Sequence, residues 1–217
     1  MFIVFEGIDG TGKGTQITRA IEYLENLLGK DVVVQSKDPG GTKLGLALRR
    51  VMYEEVPTTE MMPGVVDLIF LASHLQNWQT VVKPALDAGK VVVSDRWWYS
   101  QAAYMTQRQV PEPIANAYMQ AHGRNCDLLI FLYGSAEVVL GRARARESET
   151  HQSAKAWNDQ QILEKIQNAY VDQFAGNPEW HPINIDGKTP DQIWSQVEQA
   201  IYYALARTGK LPGDSRA

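Results

Sequence analysis

Lys13 sits in a run, Gly7-Ile8-Asp9-Gly10-Thr11-Gly12-Lys13-Gly14-Thr15, whose residue types suit a bound anion. Glycines at 7, 10 and 12 let backbone N–H groups converge on phosphate oxygens. Lys13 adds a charge that reaches the outer phosphates. The spacing Gly7-x4-Gly12-Lys13 is that of a phosphate-binding P-loop. Gly7, Gly10, Thr11, Gly12, Lys13, Gly14 and Thr15 are therefore the candidate nucleotide-binding set. Gly14 stands where that pattern usually has a Mg²⁺-binding hydroxyl, and Thr15 follows it. Any Mg²⁺ is then expected to be held mostly by water, phosphate and distant carboxylates.

Three further groups of residues suit a phosphoryl transfer. Asp95-Arg96 follows an apolar run, Val91–Ser94, and open α/β sheets place ligands at that edge. A carboxylate there can hold Mg²⁺ or its waters, and an arginine can fork onto a phosphate; a surface ion pair is the alternative. Arg142, Arg144 and Arg146 precede a polar stretch and suit a lid over the transferring group. A solvated charged helix fits them too. Lys37–Thr42 (KDPGGT) is a loop by its Pro-Gly-Gly content, and Arg49 and Arg50 follow it. Together they suit a second phosphate, or else a turn and an exposed basic face.

The elements that position these groups alternate. A buried strand at 2–5 leads through the glycine-rich turn into a helix whose apolar residues recur at Ile17, Ala20, Ile21, Leu24, Leu27 and Leu28. Buried strands are expected at 31–36, 91–94 and 128–132, and an edge strand at 181–185. Helices are expected at 42–53, 64–87 (with Pro84 kinking its end), in two pieces over 97–121, at 135–146 and at 159–174. Residues 54–63 read as a loop and 147–158 as a mobile polar segment. Thr189-Pro190-Asp191-Gln192 is a capping box that opens a last helix to about Leu205. The order implies an α/β fold with a five-stranded parallel sheet, covered by helices on both faces. One domain over 1–206, a lid at about 142–158 and a flexible tail at 207–217 are expected.

Composition bounds the reading. The chain has 217 residues, 44% of them hydrophobic, with net charge −4. The pI of about 5.6 argues against a general nucleic-acid binder. No apolar run is long enough for a bilayer, so no membrane role is expected. One cysteine, Cys126, excludes an internal disulfide, reads as a packed residue and suits a cytoplasmic protein.

The motifs together resemble the thymidylate kinases, nucleoside monophosphate kinases of the P-loop NTPase fold. FEGIDGTGKGTQ resembles the family's P-loop and KDPGGT its R-E-P-G-G-T loop. FLASHLQNWQTVVKPAL resembles its F-x-x-D-R-A-Q-H helix, DRWWYSQAAY its D-R-Y-x-x-S-x-x-A-Y motif, and RARAR its lid. The resemblance covers nearly the whole chain. It implies transfer of the ATP γ-phosphoryl to dTMP with Mg²⁺, in a homodimer formed through the 64–87 region. It implies that Lys13 and the loop glycines hold ATP, and that Asp9 approaches the acceptor sugar or the Mg²⁺ shell. Asp95 becomes a candidate metal contact. Asp38, and Arg96 with Arg49 or Arg50, would serve the acceptor. Phe70 would stack on the base, Tyr104 would lie against the sugar C2′, and Arg142 and Arg146 would stabilise the transition state.

The departures from that pattern bear on the base. His74 stands where the family has a base-reading arginine, and Gln101 occupies a second base-reading position. A histidine reaches less far and is donor or acceptor; it can equally be packed without a ligand. Altered or broadened base choice among deoxynucleoside monophosphates is therefore the alternative. Other readings are a deoxynucleoside kinase, a switch GTPase, which lacks its Asn-Lys motif here, and a silent nucleotide sensor.

Overall fold

A computed structural model of the chain describes residues 1–56, 60–62, 64–108, 110–121, 125–150 and 159–212; the side chains of residues 144 and 146–150 are not among those described. The strands are β1 (Phe2–Glu6), β2 (Val33–Lys37), β3 (Val91–Asp95), β4 (Leu128–Tyr133) and β5 (Trp180–Asn184). They form one five-stranded sheet in the order β2-β3-β1-β4-β5, every pair parallel. All five residues of β1 are buried, those pointing up and those pointing down alike. That requires helices over both faces, as a parallel sheet demands.

The helices are α1 (Lys13–Leu28), α2 (Lys43–Arg50), α3 (Val65–Asn77), α4 (Lys83–Asp87), α5 (Trp98–Met105), α6 (Glu112–Ala121), α7 (Ala136–Thr150), α8 (Gln160–Phe174) and α9 (Pro190–Arg207). α1 and α9 pack on each other and on the sheet, while α5 packs on α8 and α3. Thr189 and Gln192 close the expected capping box at α9. Asp159 caps α8 by accepting from Gln161 and Ile162 N–H. No helix among the described residues is long and apolar enough to cross a membrane.

Several local expectations need correction. The second strand begins only at Val33, after a 3-10 turn over Lys30–Val32, and its side chains are mostly half-exposed or exposed. Its Val-rich run read as buried, but β2 is an edge and has one neighbour. Residues 54 and 55 belong to a widened helical turn, Val51–Glu55, that continues α2. The 64–87 helix is continuous but opens into a π turn at Trp78–Val82. Pro84, which has no N–H and crowds the carbonyl four residues back, sits just past that turn, so the backbone widens ahead of it. α7 runs past Arg146 to Thr150, so the first four residues of the expected mobile segment are helical; 151–158 lie outside the described residues. The tail starts later than expected. Arg207 ends α9 and donates to Glu179 at 2.6 Å and to the Asp127 carbonyl, and Lys210 donates to the Gly89 carbonyl at 2.6 Å. Residues 213–217 lie outside the description.

Candidate active site

The glycine-rich loop joins β1 to α1 at the C-terminal edge of the sheet. Gly7 and Gly10 are there for closeness as well as conformation. Both have positive φ, and a Cβ on either would lie 2.3 Å from a backbone oxygen, that of Leu132 or Val139. Gly12, at φ 84°, precedes α1 in the left-handed region. Lys13 folds back over the loop and donates to the carbonyls of Gly7 (2.8 Å) and Ile8 (2.9 Å). Thr11 Oγ1 donates to the Ile8 carbonyl at 2.9 Å. Burial, with Arg96 nearby, pushes the Lys13 ammonium down to about 8 against the pull of Asp9, Asp95 and Glu6. Gly14 and Thr15 are exposed, and a Cβ on Gly14 would meet nothing within 4 Å.

Arg96 is the one non-glycine residue with positive φ, 72°, among the described residues. Its N–H donates to the Phe5 carbonyl at 2.9 Å, and its carbonyl accepts from Ser94 Oγ at 2.7 Å. Its guanidinium donates to Ser100 Oγ (2.9 Å) and to Asp9 (2.8 Å), so it bridges α5 and the P-loop. Behind it stands Glu6, fully buried at the end of β1. Glu6 accepts from the N–H groups of Trp97 and Ser100, from Ser100 Oγ at 2.6 Å and from Tyr170 OH at 3.0 Å. Burial pushes the Glu6 carboxyl up, against Arg96 and these donors. Glu6, Ser100 and Tyr170 escaped the sequence reading. A glutamate ending an otherwise apolar buried strand was the available signal.

Asp95 pairs with Lys37 at 2.9 Å. Burial would raise its carboxyl, but Lys13, Lys37 and Arg96 outweigh that and hold it below the ordinary value. Asp9, largely exposed, lies 4.0 Å from Lys13. No cluster of three or more metal-ligating side chains occurs among the described residues. Two carboxylates near Lys13, Asp9 and Asp95, fit a Mg²⁺ held through water and phosphate.

The other half of the site lies along α3. Its buried polar residues Asp67, Ser73, His74 and Asn77 interrupt an otherwise apolar helix. His74 is completely buried and bonds through Nδ1 to Asp38, itself buried in the KDPGGT loop. Its ring lies 4.3 Å, centroid to centroid, from Trp97. Asn77 donates to Ser36 Oγ (2.9 Å) and to the Lys37 carbonyl (3.2 Å), tying the loop to α3. Asp67 accepts from Gln101 Nε2 at 2.5 Å and from Arg108 at 2.6 Å. The Arg108 guanidinium carbon is 5.8 Å from the centre of the half-buried Phe70 ring. Tyr104 lies under Arg96 at 5.8 Å, and burial pushes its hydroxyl up to about 12. Arg49 stacks over Tyr53 at 4.9 Å.

The structure thus joins Lys13, Asp9, Arg96 and Tyr104 in one network, and Phe70 and Gln101 in a second. His74 faces the interior and bonds to Asp38. Arg142, half-exposed, lies on α7 one turn beyond Val139, whose carbonyl abuts Gly10. The Arg146 side chain lies outside the described residues.

A family model, Thymidylate kinase, matches residues 5–196. Thymidylate kinase of Anaplasma marginale is 42% identical over 213 residues, 95% of this chain and 97% of its own length. Thymidylate kinase of Bifidobacterium longum subsp. infantis is 31% identical over 209 residues, 94% of this chain and 87% of its own. A crystal structure of thymidylate kinase from Ehrlichia chaffeensis superposes with a TM-score of 0.70 at 23% identity, covering 93% of this chain and 98% of that one; it shares the fold. With the model match spanning most of the sequence, and both curated relatives aligned nearly end to end, the chain belongs to the thymidylate kinase family.

Proposed function

We propose that this protein transfers the γ-phosphoryl group of ATP to a deoxynucleoside monophosphate, dTMP first, yielding ADP and dTDP. The observation that carries this is Arg96. It sits in a left-handed turn between the P-loop and α5, and its guanidinium reaches across to Asp9. A cation fixed between a nucleotide cradle and an aromatic surface is what an acceptor phosphate needs.

In this reading Gly7, Gly10, Thr11, Gly12, Lys13, Gly14 and Thr15 hold the ATP phosphates. Lys13 moves from the loop carbonyls to a phosphate oxygen, which restores its full charge. Arg96, with Arg49, holds the acceptor phosphate so that one of its oxygens attacks the γ-phosphorus in line. Arg142 and Arg146 meet the charge that develops on the transferred group. Phe70 carries the base and Tyr104 the sugar. Asp38 stays behind the acceptor site, fixed by His74. Asp9 and Asp95 would hold Mg²⁺ by way of water, and the ion would supply charge neutralisation to the phosphates.

The chain is proposed to pair as a homodimer through α2 and α3, where Leu44, Leu46, Val65 and Leu68 are exposed; light scattering on the purified chain tests this. A cytoplasmic setting agrees with one buried thiol, Cys126. Broadened base choice is the second reading, favoured by the complete burial of His74. Coupled ADP release with dTMP, dUMP, dCMP, dGMP and dAMP, and with the ribonucleotides, tests both. Turnover of dTMP is expected; none with any monophosphate would overturn the function.

A further inference from the structure

His74 cannot bring a cation to the base, since it is completely buried and bonded to Asp38. A guanidinium nevertheless lies over the Phe70 ring, 5.8 Å from its centre, and it comes from Arg108, beyond α5. Asp67, buried at the start of α3, grips Arg108 Nη2 at 2.6 Å and Gln101 Nε2 at 2.5 Å. One carboxylate therefore fixes two side chains from another part of the chain. It also fixes which end of each is left for a ligand. Gln101 turns its amide nitrogen to Asp67 with one N–H, so its oxygen, which accepts no bond among the described residues, points the other way. Arg108 Nε is buried without a hydrogen-bond partner among the described residues. It is a donor in need of an acceptor.

We propose that Arg108, set by Asp67, is the base-reading cation of this chain, and that with Gln101 it selects an acceptor–donor base edge. This rests on the kinase reading above, with Phe70 as the base platform. A 4-oxo, 3-NH pyrimidine presents O4 to the arginine and N3–H to the Gln101 oxygen. Thymine and uracil have that edge. Cytosine reverses it, setting an amino group against the guanidinium and a bare N3 against the amide oxygen. Adenine lacks the match as well. A buried polar site loses more on such a mismatch than an apolar pocket loses on a missing methyl. Asp67 is a positioning residue here: it holds the readers and need not touch the base.

The test is steady-state turnover of dTMP, dUMP and dCMP by the full chain and by Arg108→Met, Arg108→Lys, Asp67→Asn and Phe70→Ala, with melting curves on each. The parent is expected to prefer dTMP and dUMP to dCMP. Arg108→Met should raise the KM for dTMP about 10- to 100-fold, the worth of one charged hydrogen bond, with kcat and the KM for ATP little changed. Arg108→Lys keeps the charge beside Asp67, so it should fold and recover part of the loss. Asp67→Asn frees the Gln101 amide to turn over, and should narrow the dTMP/dCMP ratio. A purely structural role for Asp67 would lower the melting temperature without moving that ratio, and would overturn its part. An Arg108→Met variant within twofold of the parent on dTMP would overturn the proposal, and a concurrent loss in Phe70→Ala would leave the kinase reading standing. Absence of turnover by the parent would sink both.

Discussion

The two halves of the candidate site are built by opposite means. Around the P-loop, the structure is mostly backbone: glycines at positive φ, and Lys13 resting on the carbonyls of residues 7 and 8. Along α3 it is side chain on side chain, between segments far apart in the sequence: Asp38 with His74, Ser36 with Asn77, Asp67 with Gln101 and Arg108. Backbone donors read a phosphate whatever it is attached to, so one short motif suffices. Side-chain pairs can be exchanged together, so the acceptor half can change its residues and keep its geometry. The lesson is that a departure at one position, such as His74, has to be read with the partner it has acquired.

The contrast can be broken first on the backbone side. Gly10→Ala puts a methyl 2.3 Å from the Val139 carbonyl at φ 91°. It should cost about 2–4 kcal/mol of stability and abolish the thermal shift given by ATP; a normal shift would mean the loop is not the cradle. On the side-chain side, His74→Phe strands the buried Asp38 carboxylate. About 2–3 kcal/mol should be lost in urea unfolding, with ATP affinity retained. Equal losses of ATP and dTMP affinity would show the halves to be one unit.

A smaller effect sharpens the comparison through pH. Lys13 titrates near 8 in the free protein, below its usual value, because it is buried. In the proposed kinase reading, ATP favours its charged form. Affinity should therefore be level below pH 8 and fall by up to about tenfold per unit above it. Calorimetry from pH 6.5 to 9.5 would show this, and a flat profile would remove Lys13 from the phosphates. The smallest effect is expected from Gly14→Ser. The site has room for the side chain. The added hydroxyl should lower the Mg²⁺ concentration needed for half-maximal rate a few-fold, with no loss of stability.

The same contrast explains how much could be read without coordinates. The strand–loop–helix of the phosphate cradle, all five strands and the α9 capping box were legible, because each is written in consecutive residues. The edge character of β2 was not: VVV reads as buried until its neighbours are known. Asp95-Arg96 was legible as a sheet-edge pair, but Glu6 behind it was not, since its donors come from residues 97, 100 and 170. Asp67, His74 and Asn77 left a fainter trace, polar residues along one face of an apolar helix. Arg108 left none, because nothing local says that it returns to Phe70.

The widened turn at Trp78–Val82 sets the phase between two parts of one long helix. Before it, α3 turns His74 and Asn77 toward Asp38, Ser36 and Lys37, and Asp67 toward Gln101 and Arg108; at its end and after it, Val82 and Ala85 are buried in the core. Each residue advances a helix by about 100°. Running ordinary helix through the same residues, with none removed, would rotate one half against the other by roughly that angle. Either the acceptor side would lose its polar stripe or the core its apolar one. The turn accordingly holds one residue more than ordinary helix of the same rotation, and a one-residue deletion should be better tolerated within it than elsewhere in the helix.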